Sequence, residues 1–500
     1  LFIFIFLLLL FVRSPWGQDI IKDKLISTIT EKTGTKVELD RVFVRFNGNI
    51  QIDGLYIEDE SGDTLIYSKS LNASIPFLPL IKGSGVSVNS LEWHKVRANV
   101  IRKDSINGFN FDFLVNAFIT PDSLATPEVA ADTSAAPMNL QLGDFDLTDF
   151  KIRYTDDVSG IDALINFDEL ILELQETDME NMVFRAGDAR LVNSEIRYYQ
   201  NKPFPETQEE EPMPLPVIFV DNLELKLVKG EYVSKPDSLS TKFNIQEFLV
   251  ESAQMDLQEN KVKTDLIALS DSDILLELLV TENKTAAVSN ETESADGFQW
   301  PEWQVGIQEI KLENNNIAYY LNGNTVQRGQ FNPDAVRIDD LFLDASNINY
   351  KPGDASAEIG QLNFKEASGI ALNEFNLNLK ANENQFSLEK IQLGINNSKL
   401  AGDFNIKYKS LQDFLENPEE ANLNASLNNV NFQISELYRF QPDLKDNEYI
   451  RTLATAPVSG SMSANGKLDK VNLEQLNLNW RNTRIAGSGT ISNMQDPENL

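Results

Sequence analysis

Along most of the chain apolar and polar residues alternate with a period of two, as in Leu223, Leu225, Leu227, in Phe375, Leu377, Leu379, and in Val430, Phe432, Ile434. That period puts successive side chains on opposite faces of a strand, so these segments predict half-buried β-strands with one apolar face and one wet face. Helical spacing occurs early. Ile20, Ile21, Leu25 and Ile29 follow Ser14-Pro15, a capping residue with proline in the first turn, and precede Gly34. Two further short helices are expected around Leu411 to Leu415 and Ser435 to Phe440.

Three linkers interrupt the alternation: Pro121 to Pro137, Gln200 to Pro216 and Thr281 to Gly297. Their Ala, Thr, Pro and acidic content cannot build a core and predicts exposed loops. The segments that follow them are alike. Leu140, Ile218 and Val305 align, then Leu142, Val220 and Ile307, then Phe145, Leu223 and Ile310, then Leu147, Leu225 and Leu312, with Tyr154, Tyr232 and Tyr319 closing the register. The match resumes at Ile165, Phe243 and Val336, then Phe167, Ile245 and Ile338, then Leu170, Phe248 and Leu341, which predicts an internal repeat. Each block runs apolar-x-apolar-x-x-apolar-x-apolar, as do Val37, Leu39, Val42 and Val44. The extra residue reverses the parity, so a bulge or sharp bend between Leu142 and Phe145, and at the equivalent places, is required to keep one face apolar.

Such a sheet hides its apolar face in a sandwich, a closed barrel, a β-helix or a curled groove filled by an apolar ligand. Sandwich domains run about 100 residues with Gly- and Pro-rich turns, whereas these repeats are shorter and separated by acidic linkers. The Gly-Gly-x-Gly-x-Asp turn of calcium-binding β-helices is absent. The expected fold is therefore all-β, an elongated curled sheet or β-groove built from repeats, with an N-terminal membrane-anchor helix and a few short helices. Roughly 30 strands at about 4.8 Å each would reach on the order of 140 Å. The expected divisions are an anchor at 1–13, a helix at 14–34, an N-terminal groove cap at 35–120, and a linker at 121–138. Repeats at 139–199, 217–280 and 301–365 follow, separated by linkers at 200–216 and 281–300, and the groove continues through 366–500.

The side chains expected to line the groove are Leu140, Leu142, Phe145, Leu147, Val220, Leu223, Leu225, Leu227, Ile307, Ile310, Leu312, Phe375, Leu377, Leu379, Phe432 and Ile434. Alternating Leu and Phe are equally the mark of an ordinary core. Acyl chains suit such a surface, at about 25 cal/mol per Å² removed from water.

Composition narrows the chemistry. The 500 residues carry a net charge of -33, a field that repels phosphate backbones and argues against nucleic acid as a partner. With no Cys and one His, disulfide scaffolds, thiol nucleophiles, Cys-ligated zinc and Ser/His/Asp triads are excluded, so neither an enzyme nor a metal or other cofactor is expected. His94 is a lone imidazole on a strand. Asp156-Asp157 and Glu209-Glu210-Glu211 read as solvated loop acid, and Gly487-Ser488-Gly489 lacks the Lys-Ser/Thr of a phosphate loop. At the N-terminus Leu1, Phe2, Ile3, Phe4, Ile5, Phe6, Leu7, Leu8, Leu9, Leu10, Phe11 and Val12 form an apolar run closed by Arg13 and followed by Trp16. This reads as part of a retained signal anchor, since a spanning helix takes roughly 20 residues.

The stretch from Ser14 to Gly83, with Gly54-Leu55-Tyr56-Ile57-Glu58-Asp59 and the turn Gly62 to Ile66, resembles the N-terminal part of TamB/AsmA-like envelope proteins of diderm bacteria. Ile310 to Tyr350 with Glu366-Ala367-Ser368-Gly369-Ile370, and Ala456-Pro457-Val458-Ser459-Gly460 leading to Gly487-Ser488-Gly489, extend the resemblance. It implies a single-pass inner-membrane anchor, a periplasmic β-groove body, and passage of phospholipid between inner and outer membranes. It also implies an outer-membrane barrel-assembly protein as partner, so a scaffold or chaperone for outer-membrane protein assembly is the alternative expectation.

Overall fold

In the computed structural model of the chain, residues 11, 14–44, 49–76, 86–118, 140–205, 214–279 and 298–492 are described. Strand makes up 66% and helix 12%, so the all-β expectation holds. Two compact units, Leu1–Gln246 and Glu247–Leu500, divide inside strand β10 (Leu239–Asp256).

The first unit opens on α1 (Pro15–Thr33). Ser14 Oγ accepts the Gly17 N–H at 3.0 Å, and the chain leaves through Gly34 at φ 72°, a left-handed value that glycine adopts without strain. Ile29 packs on Val37, Ile57 and Leu65 beside Phe111, Phe113 and Leu114 of the segment forming α2 (Asp112–Phe118), whereas Ile20 and Leu25 stay exposed. Most of the expected anchor, Leu1 to Leu10 with Val12 and Arg13, lies outside the described residues. Among the described residues no helix is long and apolar enough to cross a membrane, and α1 carries Asp19, Lys22, Asp23, Lys24, Glu31 and Lys32. That finding overturns the expected single-pass inner-membrane location.

Strands β1 (Val37–Glu38) and β2 (Arg41–Val44) both pair with β3 (Asn49–Glu58), and β3, β4 (Thr64–Ser74) and β5 (Val86–Arg102) continue antiparallel. The next neighbour, β6 (Leu140–Asp156), runs parallel to β5. After it β7 (Ile161–Asp178) and β8 (Val183–Gln200) return to antiparallel pairing, and β9 (Val217–Ser234) is again parallel, to β8. In the second unit β10 pairs antiparallel with β11 (Lys261–Ser270), and both β11 and β12 (Asp273–Leu278) pair parallel with β13 (Gln304–Leu321). From β13 onward every pairing is antiparallel and sequential, through β14 (Ala335–Lys351), β15 (Asp354–Glu366), β16 (Ile370–Asn382), β17 (Gln385–Ile395), β18 (Ser398–Lys407), β19 (Asn422–Phe432), β20 (Val458–Lys467), β21 (Lys470–Trp480) and β22 (Thr483–Ser492). The parallel pairings occur at three places, where the chain passes through 119–139, 206–213 and 280–297, outside the described residues, and most of the three linkers falls there. Gln200, expected to open a linker, is the last residue of β8 and is buried.

The expected helices near 411 and 435 are α3 (Leu411–Glu416) and a 3₁₀ turn at Ile434–Arg439, with α4 (Glu448–Leu453) in addition. Ile434 is therefore not a strand residue. The ladder ends at Phe432 opposite Val458, because the Gln433 N–H donates to Ser398 Oγ at 2.9 Å and its carbonyl accepts the Glu436 N–H, starting the turn.

A buried side chain braces the gap between β11 and β12. Asn315 of β13 is fully buried; its Oδ1 accepts the Ser272 N–H at 3.0 Å and its Nδ2 donates to the Leu269 carbonyl at 2.8 Å. Removing the amide takes these two bonds from buried backbone groups, which costs about 1–3 kcal/mol. Asn315→Leu is expected to lower the stability of the chain by about that amount in chemical denaturation, and an unchanged midpoint would show that the amide is dispensable.

Candidate functional site

Cross-strand register assigns side chains to a common face, because directly paired residues project together. In the first unit the rows read Phe145, Leu172, Ala189, Leu223; then Leu147, Leu170, Leu191, Leu225; then Phe150, Phe167, Ser194, Val228; then Ile152, Ile165, Ile196, Gly230. On β5 the same rows begin with Leu91, Trp93, Val96 and Ala98. Trp93, Val96, Leu147, Phe150, Ile152, Phe167, Leu170 and Leu191 pack into one cluster, with Phe150 stacked on Phe167 at 5.1 Å and Trp93 edge-on to Phe150 at 5.6 Å. In the second unit Ile310, Ala345, Ile359 and Leu377 form one row and Leu312, Leu343 and Leu362 another.

Two interruptions per strand hold this face together. The first is where the sequence demands it: the parallel ladders skip Gly143, Asp221 and Gln308, each between the paired residues on either side. The second was not expected. Asp149, Leu227 and Asn314 lie at φ 57°, 55° and 56°, and their parallel neighbours Lys95, Asn193 and Asp271 are likewise left-handed. A left-handed residue with a side chain costs about 1–2 kcal/mol, and local polar contacts offset it. Arg97 donates to the Asp149 carbonyl at 2.6 Å and to its carboxylate at 2.5 Å, Asn193 Nδ2 donates to Asp168, and Asn314 Nδ2 donates to Asp271 at 2.5 Å. Leu227 has no polar group to do this.

The second interruption corrects one lining residue. Unbroken alternation places Leu227 inward, but it is 49% exposed, and Val228 beside it is 2% exposed, equivalent to Phe150 at 3% and Asn315 at 0%. Of the other lining candidates, Leu377 is buried, and the side chain of Leu140, at the start of β6, lies outside the described residues. Leu142, Phe145, Leu147, Val220, Leu223, Leu225, Ile307, Ile310, Leu312, Phe375, Leu379, Phe432 and Ile434 are half-buried. Sequence reasoning missed Val96, Phe150 and Val228, and Phe167, which it aligned as a repeat position, was not among the lining candidates. The available signal was Tyr154, Tyr232 and Tyr319, which return to the original parity and so require a second break.

At one end of these strands the face changes character. The next rows are Val100, Tyr154, Ala163, Tyr198, Tyr232 and then Arg102, Asp156, Ile161, Gln200, Ser234. Tyr198 stacks on Tyr232 at 5.0 Å, and burial pushes the phenols of Tyr154 and Tyr198 above their ordinary values. Asp156, expected to be solvated, is 1% exposed and receives Arg102 Nε at 2.8 Å and the Val158 and Ser159 N–H groups. Arg102 is the main cause that holds this carboxyl well below the usual carboxylate range. At the opposite end a cavity of about 870 Å³ opens among Val88, Leu142, Leu174, Met179 and the acids Asp144, Glu176, Asp178 and Glu180. His94 sits in β5 opposite Thr148 and Ser70.

Compared with known proteins, the chain matches no family model, no curated protein and no solved structure.

Two outcomes follow from the geometry. Leu227→Asp should leave the thermal unfolding midpoint unchanged while Val228→Asp lowers stability by about 3 kcal/mol for an unpaired buried polar group; equal losses would restore the unbroken alternation. Because the folded pKa of Asp156 is depressed, its stabilisation is present above the unfolded value of about 3.9 and is lost as the pH falls below it. Thermal melts should then separate the wild type from Asp156→Asn at pH 7, with the difference shrinking below about pH 4; a pH-independent gap would remove the ion pair as its cause.

Proposed function

We propose that the apolar face is a groove that takes up the acyl chains of phospholipid and shields them from water during transfer. On this proposal the sheet is assembled from repeats of three-strand size, with β6, β9 and β13 as equivalent first strands joined to the preceding repeat by parallel pairing. The observation that carries it is the half-buried state of the lining side chains. A finished core buries its Leu, Ile and Phe; rows of them left half-covered over many strands form an apolar surface that calls for a partner.

The partner has to match apolar rows that run across β5–β9 in the first unit and across β13–β16 in the second, with no cation or acid in those rows to select a peptide. An acyl chain does, and it contributes about 25 cal/mol for each Å² of apolar surface it removes from water. The bulges support the same reading, since they increase the local twist and bend a sheet so that one face becomes concave. The resemblance to TamB/AsmA-like proteins supports it independently of the geometry.

The test places a photo-reactive benzophenone side chain at Leu225 or Leu312, on the apolar face, and at the adjacent Glu224 or Lys311. After incubation with vesicles of palmitoyl-oleoyl phosphatidylethanolamine, illumination should yield lipid adducts at Leu225 and Leu312 and few at Glu224 and Lys311. Equal labelling of both sets, or none, would reject the groove. Protein adducts formed in cells at outward positions instead would favour a scaffold that pairs with client strands.

A further inference from the structure

In the second unit the strands from β13 onward pair antiparallel and in sequence, so the connections after β13, β15, β17, β19 and β21 all fall at one end of the sheet. The connection after β19, residues 433–457, reaches back to each of the others. Its Arg439 carbonyl accepts the Phe331 N–H at 2.8 Å, and Phe440 packs on the Phe331 ring at 5.7 Å, in the connection after β13. Arg439 Nη1 donates to the Ser368 carbonyl at 3.1 Å, after β15. Glu436 accepts Asn396 Nδ2 at 2.6 Å, and the Gln433 N–H donates to Ser398 Oγ at 2.9 Å, after β17. The Leu453 carbonyl accepts Trp480 Nε1 at 3.0 Å and the Thr455 hydroxyl accepts Arg481, at the connection after β21.

Arg439 is the hub of these ties. While Nη1 holds Ser368, its Nε donates to Glu436 at 3.2 Å, so one planar fork joins the turn after β15, through Glu436 and Asn396, to the turn after β17. The Ser368 carbonyl also accepts the Gly329 N–H at 2.8 Å. That carbonyl is held from behind, because Glu366, 5% exposed, accepts both the Ser368 N–H at 2.9 Å and the Ser368 hydroxyl. Gly369 completes the turn at φ 101°, and a Cβ there would lie 2.7 Å from Arg439 Nη1, so glycine gives the guanidinium its seat.

The connection has no core of its own. Neither the 3₁₀ turns at Ile434–Arg439 and Pro442–Asp446 nor α4 contains a buried residue, and each is too short to be stable alone. It is held by the polar ties. The ladder, in turn, leaves the curl of the sheet undetermined, since adjacent strands accept a relative rotation anywhere from about 10 to 35°. We propose that residues 433–457 are a clamp that sets the curl of the second unit's sheet at this end, with Arg439 as its positioning residue. Releasing the clamp lets β15–β22 change curl without breaking a ladder bond. It acts whether or not a lipid is bound.

The absence of cysteine allows the curl to be measured directly, since two introduced thiols are the only ones to label. Nitroxides are placed at the exposed turn positions Asn397→Cys and Asn482→Cys, at the clamped end, and in a second protein at Pro352→Cys and Asp469→Cys, at the opposite end. There other residues make the ties, such as Trp300 Nε1 to Glu383 at 2.5 Å and the Phe298 N–H to Gln412 at 3.2 Å. Distances are read by double electron–electron resonance. Arg439→Ala should broaden the 397–482 distribution by roughly one strand spacing, about 5 Å, and leave 352–469 at its original width. If Arg439→Ala loosens both pairs, Arg439→Lys decides, because it keeps the charge and loses the two-way fork; broadening at 397–482 alone then supports the clamp. An unchanged 397–482 distribution in both variants, or equal broadening of the two pairs in both, overturns it.

Discussion

The structure depends on reconciling a period of two with a face that must stay apolar over long strands. Seventeen or eighteen residues is long for a strand, as in β6 and β9, and a strictly alternating chain of that length twists steadily. Here β6, β9 and β13 are each broken twice. The breaks stand opposite one another on the parallel neighbours, at Lys95 beside Asp149, Asn193 beside Leu227 and Asp271 beside Asn314. Each break alone would turn everything beyond it outward. Two of them cancel, so Leu142 and Tyr154 have the same parity although Phe145 and Leu147 between them do not. Aligned breaks bend all strands at the same depth, which lets the rows stay in contact across the bend.

This explains how much could be seen from sequence. The first break was legible because it displaces a pair of apolar residues, Phe145 and Leu147, relative to Leu142. The second was hidden because the left-handed position carries Asp149, Leu227 or Asn314, three residue types with no shared pattern, and in β9 the leucine imitates unbroken alternation. The buried residue after it is equally disguised: Phe150, Val228 and Asn315 differ in polarity, and Asn315 is buried only because it satisfies the backbone between β11 and β12. Helix α1 was legible from Ser14-Pro15 and Gly34, whose roles are local. Parallel pairing was not, since alternation is identical in strands of either direction. Asp156 reads as loop acid until Arg102, on a different strand, is placed beside it.

The outer face contributes differently. Arg190 lies between Glu169 at 3.4 Å and Glu224 at 3.1 Å, and Lys226 pairs with Glu224, giving a line of charges across β7, β8 and β9. Glu169 Oε1, facing Arg190 Nη1, and Arg190 Nε, facing Glu224, are each within ion-pair distance of their partner but outside hydrogen-bond geometry. Pairs of this kind, partly exposed to solvent, are worth about 0–1 kcal/mol each. They set register and solubility more than stability. Cohesion then rests on the ladders and on the apolar rows, so under the proposed function the same side chains that hold the sheet together are the ones offered to a ligand.

That double use limits how the face can be built. A groove that bound its ligand through strongly buried residues would lose its own core whenever the ligand left. In the first unit the load is divided along each strand: the deepest positions, Val96, Phe150, Phe167 and Val228, are closed by their neighbours, while Phe145, Leu147, Leu223 and Leu225 stay half-covered. The left-handed residues lie at the boundary between these two groups. A bend there brings the row of Phe150 against its neighbours and leaves the rows before it half-covered, so the backbone feature that keeps the face apolar also separates the buried rows that stabilise the sheet from the rows that the proposed function offers to a chain.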